Sequence, residues 1–449
     1  MVVSCGRLRR CRRVAELIKE NESLKETVKE KLAQIDDLRK SLYGRKKKKP
    51  PDIKGEPRKK GAPFGHKGVT REKPDRIDEE IELIPPSCSY CGSDHLEKTT
   101  MPPDEHIQED IVLPRKKVTK YKRPVFKCGR CGRLVRGGRG PDEIPNAYIG
   151  PTAKSLASYL RFGMGIPMHK IKSIFKELFD LEFDQTSVTG FENQLRARSQ
   201  GLYNQMRDSL KTARLLYIDE TGWPEGDANL WLWCLCNKEL AFFHIDKSRG
   251  GDVPTSILGN KFGGVFISDF LSAYNHIESL KQKCIPHVLR MIERYYRSDM
   301  EVKEFCDRLK ELMKLIAYLF KERRKIADYL VRRADVIARI KRLLGRRLKH
   351  DRTDKWRRKL RIHQDELYEC LFHPDSDFNN NFVERMLRLS VIIRKITFGS
   401  RSDNGIKNHS VIMSIFQTAR LHNRHPAEIF HRIFTEPDKV TLANLIRAP

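Results

Sequence analysis

"LLYIDETGW", Leu215 to Trp223, is a run of apolar residues that stops abruptly at two acids. An apolar run of this length, rich in β-branched and aromatic residues, reads as a buried strand. Asp is a good turn residue, so Asp219 can mark nothing more than the strand's end. A carboxylate at the end of a rigid strand is also where metal chemistry is often placed. The rest of the chain has to separate these two readings.

Working outward, "ANLWLWCLCN" and "LAFFHIDKS" follow as two more strands. The first is apolar on both parities, with Trp231 and Trp233 on one face and Leu232, Cys234 and Cys236 on the other. That pattern suits a central strand covered on both sides, so Cys234 and Cys236 read as core. "GVFISDFLSAY", Gly264 to Tyr274, is another apolar run interrupted by an acid, Asp269. Phosphoryl transfer with two metal ions needs several hard oxygen ligands converging on one point, so a third acid should come from another element. The candidate is Glu384 in "NNNFVERMLR". On a helix, Asn380 and Asn381 lie about one turn before it, and Leu387 and Arg388 one turn after. By spacing alone this signal is weak, because a helical Glu beside an arginine is usually a surface residue.

Composition narrows the partners. The chain has 449 residues, with 88 Lys and Arg against 59 Asp and Glu, a net charge of +29. Such an excess argues for a polyanionic partner, most plausibly nucleic acid. A membrane surface competes, but no apolar run reaches the ~18 residues of a membrane span. The basic N-terminus has no apolar stretch of the signal-peptide kind. The eleven Cys are therefore expected as thiols or metal ligands in a reducing cytoplasm.

Before the strands the chain is modular. Val14, Asn21, Val28, Ile35 and Leu42 alternate with Leu17, Leu24, Lys31 and Leu38 in heptad spacing. β-branched residues at a, Leu at d and one Asn at a fit a parallel two-stranded coiled coil; an amphipathic helix packed on its own protein is the bland alternative. "GRKKKKPPDIKGEPRKKG" reads as a basic linker. "CSYCG" and "CGRCG" place Cys88, Cys91, Cys128 and Cys131 as two knuckles suited to a structural Zn²⁺, in a ribbon with long strands between them. From Ile149 to Leu210 the pattern is helical, with a break near Phe183 and Asp184 and Thr186 or Ser187 as N-cap. This pair has a helix-turn-helix shape, which many pairs that bind no DNA share. From Ser298 to Glu369 the chain is helical and basic, with Ile326, Leu330, Ile337 and Ile340 marking one face. The cationic face opposite is a phosphate-binding surface or merely solvated.

In this order, "GAPFGHKG" at Gly61, the paired knuckles, "YIDETGW", "FISDFLSAY", "CIPHV" from Cys284 and "NNNFVERMLR" resemble transposases of the insertion-sequence-66 family. These are DDE enzymes with a ribonuclease-H-like catalytic fold. The resemblance implies that Asp219, Asp269 and Glu384 bind Mg²⁺ or Mn²⁺ and catalyse DNA cleavage and strand transfer in the prokaryotic, nucleoid-associated cytoplasm. It also implies that helices interrupt the fold before Glu384. Cys284 and His287 resemble a C-x-x-H motif found after the second Asp in several DDE transposases. Two ligands are not a zinc site, so packing or orientation is the default. The chemistry of His66 is not derivable, and a turn or linker element is expected there.

The expected fold class is multidomain α+β. Residues 1–43 form a coiled-coil dimerisation helix, 44–75 a basic linker, 76–140 a zinc ribbon and 141–210 a helical DNA-binding region. Residues 211–297 begin a ribonuclease-H-like α/β catalytic domain, 298–370 are its basic helical insertion, and 371–449 carry the Glu helix and C-terminal helices. The expected partners are mobile-element ends and target DNA, held by a homodimer or higher oligomer, with no membrane. Two alternatives stay open: a zinc-ribbon DNA-binding regulator with an inactive catalytic domain, and a ribonuclease-H-like nuclease without strand transfer.

Overall fold

The computed structural model describes residues 116–446, except 132, 137, 141, 297 and 298, together with 76, 77, 80, 81 and 93. The expected coiled coil and basic linker, with His66, Cys88 and Cys91, lie outside the described residues.

The first described elements are two short antiparallel strands, Val125–Lys127 (β1) and Leu134–Arg136 (β2). They flank the second Cys knuckle, which sits in their turn; the Cys128 N–H donates to the Arg133 carbonyl at 2.8 Å. Three helices follow: Pro151–Gly163 (α1), Met168–Phe179 (α2) and Gln185–Leu210 (α3). Pro151 starts α1, where its missing N–H is no loss. The expected break between α2 and α3 is present, but the residue preceding α3 is Asp184, not Thr186 or Ser187. The Asp184 carboxylate makes no cap; it pairs with Lys172 at 3.3 Å.

A mixed five-strand sheet is built from Leu215–Glu225 (β3), Ala228–Cys236 (β4), Ala241–Asp246 (β5), Lys261–Ser268 (β6) and Glu278–Lys283 (β7). Its order is β5-β4-β3-β6-β7. β3, β4 and β5 form an antiparallel meander, whereas β6 runs parallel to β3 and β7 parallel to β6. This order and these directions are consistent with a ribonuclease-H-like core. Both faces of β4 are covered: Leu232, Trp233, Cys234, Leu235 and Cys236 are fully buried, as the two-sided apolar pattern predicts. Asp252–Leu258 (α4) connects β5 to β6.

The β5 edge is closed by a helix instead of another strand. Along Asp403–Leu421 (α10), the hydroxyls of Ser410, Ser414 and Thr418 accept the N–H groups of Ile245, Phe243 and Ala241 at 3.2, 2.8 and 3.1 Å. Four helical residues rise about 6 Å and two strand residues about 6.8 Å. A hydroxyl every fourth residue therefore keeps step with every second N–H of an edge strand, and the edge is not left open for another chain.

After β7 the chain builds a helical subdomain with its own core, from Ile285–Tyr295 (α5), Met300–Glu322 (α6), Tyr329–Gly345 (α7) and Asp351–Ile362 (α8). One expectation here is corrected. Leu330 is 65% exposed, and the buried face of α7 is Val336, Ile340, Leu343 and Leu344. Leu330 shares its helix and phase with Ile337, but it sits in the first turn of α7, where neighbouring Val331 is exposed as well and the packed face has not yet begun.

The chain then returns to the sheet with Asn381–Thr397 (α9), followed by α10, Pro426–Thr435 (α11) and Leu442–Ile446 (α12). α9 lies against β3: Arg394 Nη1 donates to Thr221 Oγ1 at 3.0 Å and to the Gly222 carbonyl. Beyond it, Gly399 (φ 94°) lets the chain approach β3 so closely that a Cβ would sit 2.1 Å from the Pro224 carbonyl oxygen. Trp223 Nε1 then donates to Ser400 Oγ at 3.0 Å.

Candidate active site at the end of the sheet

β3 and β6 pair in parallel as Leu215 with Val265, Leu216 with Phe266 and Tyr217 with Ile267. Asp219 and Asp269 each follow the last pair of this ladder by two residues. β6 ends just before Asp269, but the reading of Asp219 as the end of its strand is corrected: β3 runs on through it, held by β4 as far as Glu225 with Ala228.

The two neighbouring acids of "DET" have different surroundings. Glu220 is held: Arg249 reaches Oε1 through Nη2 at 2.7 Å and Nε at 3.1 Å, and the Tyr274 hydroxyl donates to Oε2. Arg249 in turn lies over the Trp231 ring, 4.2 Å from its centroid. Asp219 makes no ion pair among the described residues; its Oδ1 accepts the Glu220 N–H at 3.1 Å. Burial, and then the like charges of Glu220 and Asp269 with a smaller push from Glu384, raise its carboxyl to about 8. Asp269 follows β6 directly, and its Oδ1 accepts the Leu271 N–H at 2.7 Å, which fixes the turn after the strand.

Glu384 lies in the first turn of α9, where its Oε1 is 3.4 Å from Arg290 Nη2 on α5. The same Arg290 nitrogen is 3.0 Å from His287 Nε2. Burial, then Arg290, holds His287 below the ordinary imidazole range, while Asp269 and Glu384 pull the other way. His287 thus stands in the field of two of the three acids as a neutral ring. Cys284, at the start of α5, is buried, and burial pushes its thiol up to about 11.

Asp219 therefore shares one electrostatic neighbourhood with Asp269 and Glu384. Among the described residues, however, no three His, Cys, Asp or Glu side chains surround a common metal position. Glu384 is engaged by Arg290 instead.

Cationic residues approach the same place. Lys359, exposed on α8, donates to the carbonyl of Phe270, next to Asp269, at 3.3 Å. α8 packs on α5 through Tyr295 stacked on Trp356 at 4.7 Å, with the Arg352 guanidinium over Tyr295. Arg290, Arg352, Lys355 and Lys359 are all exposed on these two helices. The α2–α3 pair offers less: one side of α3 is committed to the core through Val188, Phe191, Leu195, Leu202 and Met206.

In the second knuckle, the N–H groups of Cys131 and Arg130, then the Cys131 thiol, lower the Cys128 pKa. The turn favours the thiolate, as a ligand position requires.

Sequence reasoning did not single out Arg290, Arg249 or Tyr274. Arg290 had a usable signal, because it lies three residues after His287 and so on the same helical face. Arg249 and Tyr274 had none, since the partner that gives them meaning, Glu220, is reached only through the fold.

Comparison with known proteins agrees with this geometry. Residues 147–408, more than half the chain and including all three acids, match the family described as Transposase IS66 family. An uncharacterized protein, y4qI of Sinorhizobium fredii, is 22% identical over 417 residues, spanning 84% of this chain and 75% of that protein. Fold and family match point the same way, and the chain belongs to the IS66 transposase family.

Proposed function

We propose that this chain binds the ends of a mobile element and carries out metal-dependent DNA cleavage and strand transfer, with Asp219, Asp269 and Glu384 as its catalytic acids. The observation that carries this reading is that Asp219, within β3, and Asp269, just after the parallel strand β6, stand in one field, with no ion pair to Asp219 among the described residues.

Three carboxylates are hard oxygen donors, and a divalent cation would offset both the burial and the like charges that raise Asp219, so the donor set fits Mg²⁺ or Mn²⁺. Asp219, Asp269 and Glu384 would hold it once Glu384 leaves Arg290. Such ions activate an attacking oxygen and offset charge on the leaving one. Water attacks a phosphodiester at the element end and releases a 3′-hydroxyl, which then attacks target DNA and displaces a 3′-oxygen there. No side-chain nucleophile is needed. Tyr274 is not one: burial holds its hydroxyl far above the ordinary range, and it is spent on Glu220. Arg290 offers a guanidinium to the phosphate, while the exposed cations of α5 and α8 line the approach.

In this reading residues 1–43 dimerise the protein as a coiled coil, and Cys88, Cys91, Cys128 and Cys131 hold a structural Zn²⁺. The test is Asp269→Asn in the full chain. Cleavage and joining should vanish while affinity for element ends stays within about twofold; joining by that variant sinks the proposal. Cut ends without joined products from the unaltered chain would leave a nuclease.

A further inference from the structure

We infer that Asn380 and Cys284 form a positioning junction that fixes the relative placement of the segments carrying Asp219, Asp269 and Glu384. This rests on the proposed role of those acids and assigns a task to two residues outside the acid set.

β4 holds one side of β3 through Glu225, but on the other side the parallel ladders end just short of the acids. β3 and β6 pair no further than Tyr217 with Ile267, and β6 and β7 no further than Ser268 with Lys283. Beyond those points other groups have to satisfy the backbone and hold the strands. The Asn380 Nδ2 donates to the carbonyl of Ile218, the residue before Asp219, at 2.8 Å. The Asn380 N–H donates to Cys284 Sγ at 3.3 Å. The Cys284 N–H donates to the carbonyl of Ser268, the residue before Asp269, at 2.9 Å. The Asn380 carbonyl accepts the Glu384 N–H at 3.3 Å, one turn into α9. The four bonds form one chain from β3 to β6 to α9: three land next to an acid or on it, and the Asn380–Cys284 bond joins them.

Both residues are fully buried. Asn380 Oδ1 is buried too and has no partner among the described residues. An orphaned buried carbonyl costs about 1–3 kcal/mol. An apolar side chain would avoid that penalty but could not donate to Ile218. The thiol suits its place for a similar reason: protonated and small, it accepts one N–H without adding charge beside three acids.

The test uses the full chain with Asn380→Asp, which sets an oxygen against the Ile218 carbonyl, Cys284→Ala, which removes the acceptor, and Cys284→Ser, which keeps one. Mn²⁺ binding is read without DNA from the electron paramagnetic resonance of free Mn²⁺. Cleavage of pre-formed ends is read as kcat and KM. Asn380→Asp and Cys284→Ala should weaken Mn²⁺ binding and lower kcat by about 10- to 100-fold, with KM for DNA within about twofold. Cys284→Ser should recover most of both. If kcat falls only with the folded fraction and Mn²⁺ binding per folded molecule is unchanged, the junction is ordinary packing and the inference is wrong. Should Asn380→Asp fail to fold, the Cys284 pair decides alone. Asp269→Asn in the same assays separates the two levels. If it keeps Mn²⁺ binding and cleavage, the acid-site reading fails and takes the junction with it. If it loses both while the junction variants behave as wild type, only the junction fails.

Discussion

Arg249 closes on Glu220 and not on Asp219, with Nη2 2.7 Å from Glu220 Oε1. Two adjacent acids on one strand are thereby divided, one paired within the fold and one without an ion pair among the described residues. Asp219→Asn should abolish cleavage and leave stability equal or slightly higher, because it removes a buried carboxyl that its neighbours repel. Glu220→Gln should do the reverse. It strands Arg249 over Trp231 and weakens the Tyr274 contact, lowering stability by about 1–2 kcal/mol while cleavage falls less than about tenfold. Denaturant unfolding and cleavage rates on the two variants decide it; an exchange of the two phenotypes would mean the roles are assigned backwards.

The hydroxyl ladder on β5 makes a second prediction. Ser414→Ala leaves the Phe243 N–H buried without its acceptor. The loss should be about 1–3 kcal/mol, against a few tenths for an exposed Ser. Thr418→Val tests the next rung at Ala241. Urea unfolding measures both, and changes below about 0.5 kcal/mol would show that α10 covers the edge by packing alone.

These relationships also show where a single sequence can be read and where it cannot. Asp219 and Asp269 were legible because each interrupts an apolar run, and that contrast is local. Cys234 and Cys236 were legible as core because both parities of their strand are apolar. Ser410, Ser414 and Thr418 look like indifferent residues in a helix, because their partners lie on β5, far back along the chain. Asn380 is legible as an amide one turn before Glu384 and Cys284 as a packing or orienting residue, but their bonds run between elements that only the fold brings together. Leu330 failed because it lies in the first turn of its helix, before the packed face begins, and apolar spacing carries no mark of where packing starts.

Stability against pH should report a second buried cluster, away from the acids. Glu192 is fully buried beside Arg161, at 3.7 Å, and Asn408. Burial raises it to about 7 from 4.5, so the folded chain holds the extra proton in that window and stability falls as pH rises through it. His409 slopes the other way. Burial, then Arg161, lowers it to about 3 from 6.5, so stability falls as pH drops below 6.5. Where these ranges overlap, from pH ~4.5 to ~6.5, the slopes oppose and largely cancel. Glu192→Gln should unmask His409, with unfolding free energy rising by about 2–3 kcal/mol between pH ~4.5 and ~6.5. A variant as flat as the unaltered chain would show that His409 is not held neutral.

Arg290 makes the last prediction, with two effects of opposite sign. Its guanidinium is 3.4 Å from Glu384, and its side chain is 59% exposed. An exposed pair of this kind is worth about 0.5–1 kcal/mol. Arg290→Ala should therefore free Glu384 and tighten Mn²⁺ binding about two- to fivefold in the DNA-free protein. The same change removes a cation from beside the phosphate, so cleavage should slow by about tenfold despite the better metal site. Arg290→Lys keeps the charge but loses the planar fork, and should fall between. Titrating Mn²⁺ and measuring cleavage on the same preparations separates the effects. Tighter metal with slower cleavage means that Arg290 guards Glu384 at rest and turns to DNA in use. Unchanged metal affinity means that the Arg290–Glu384 contact holds nothing back, and that Glu384 is already free to join the two aspartates.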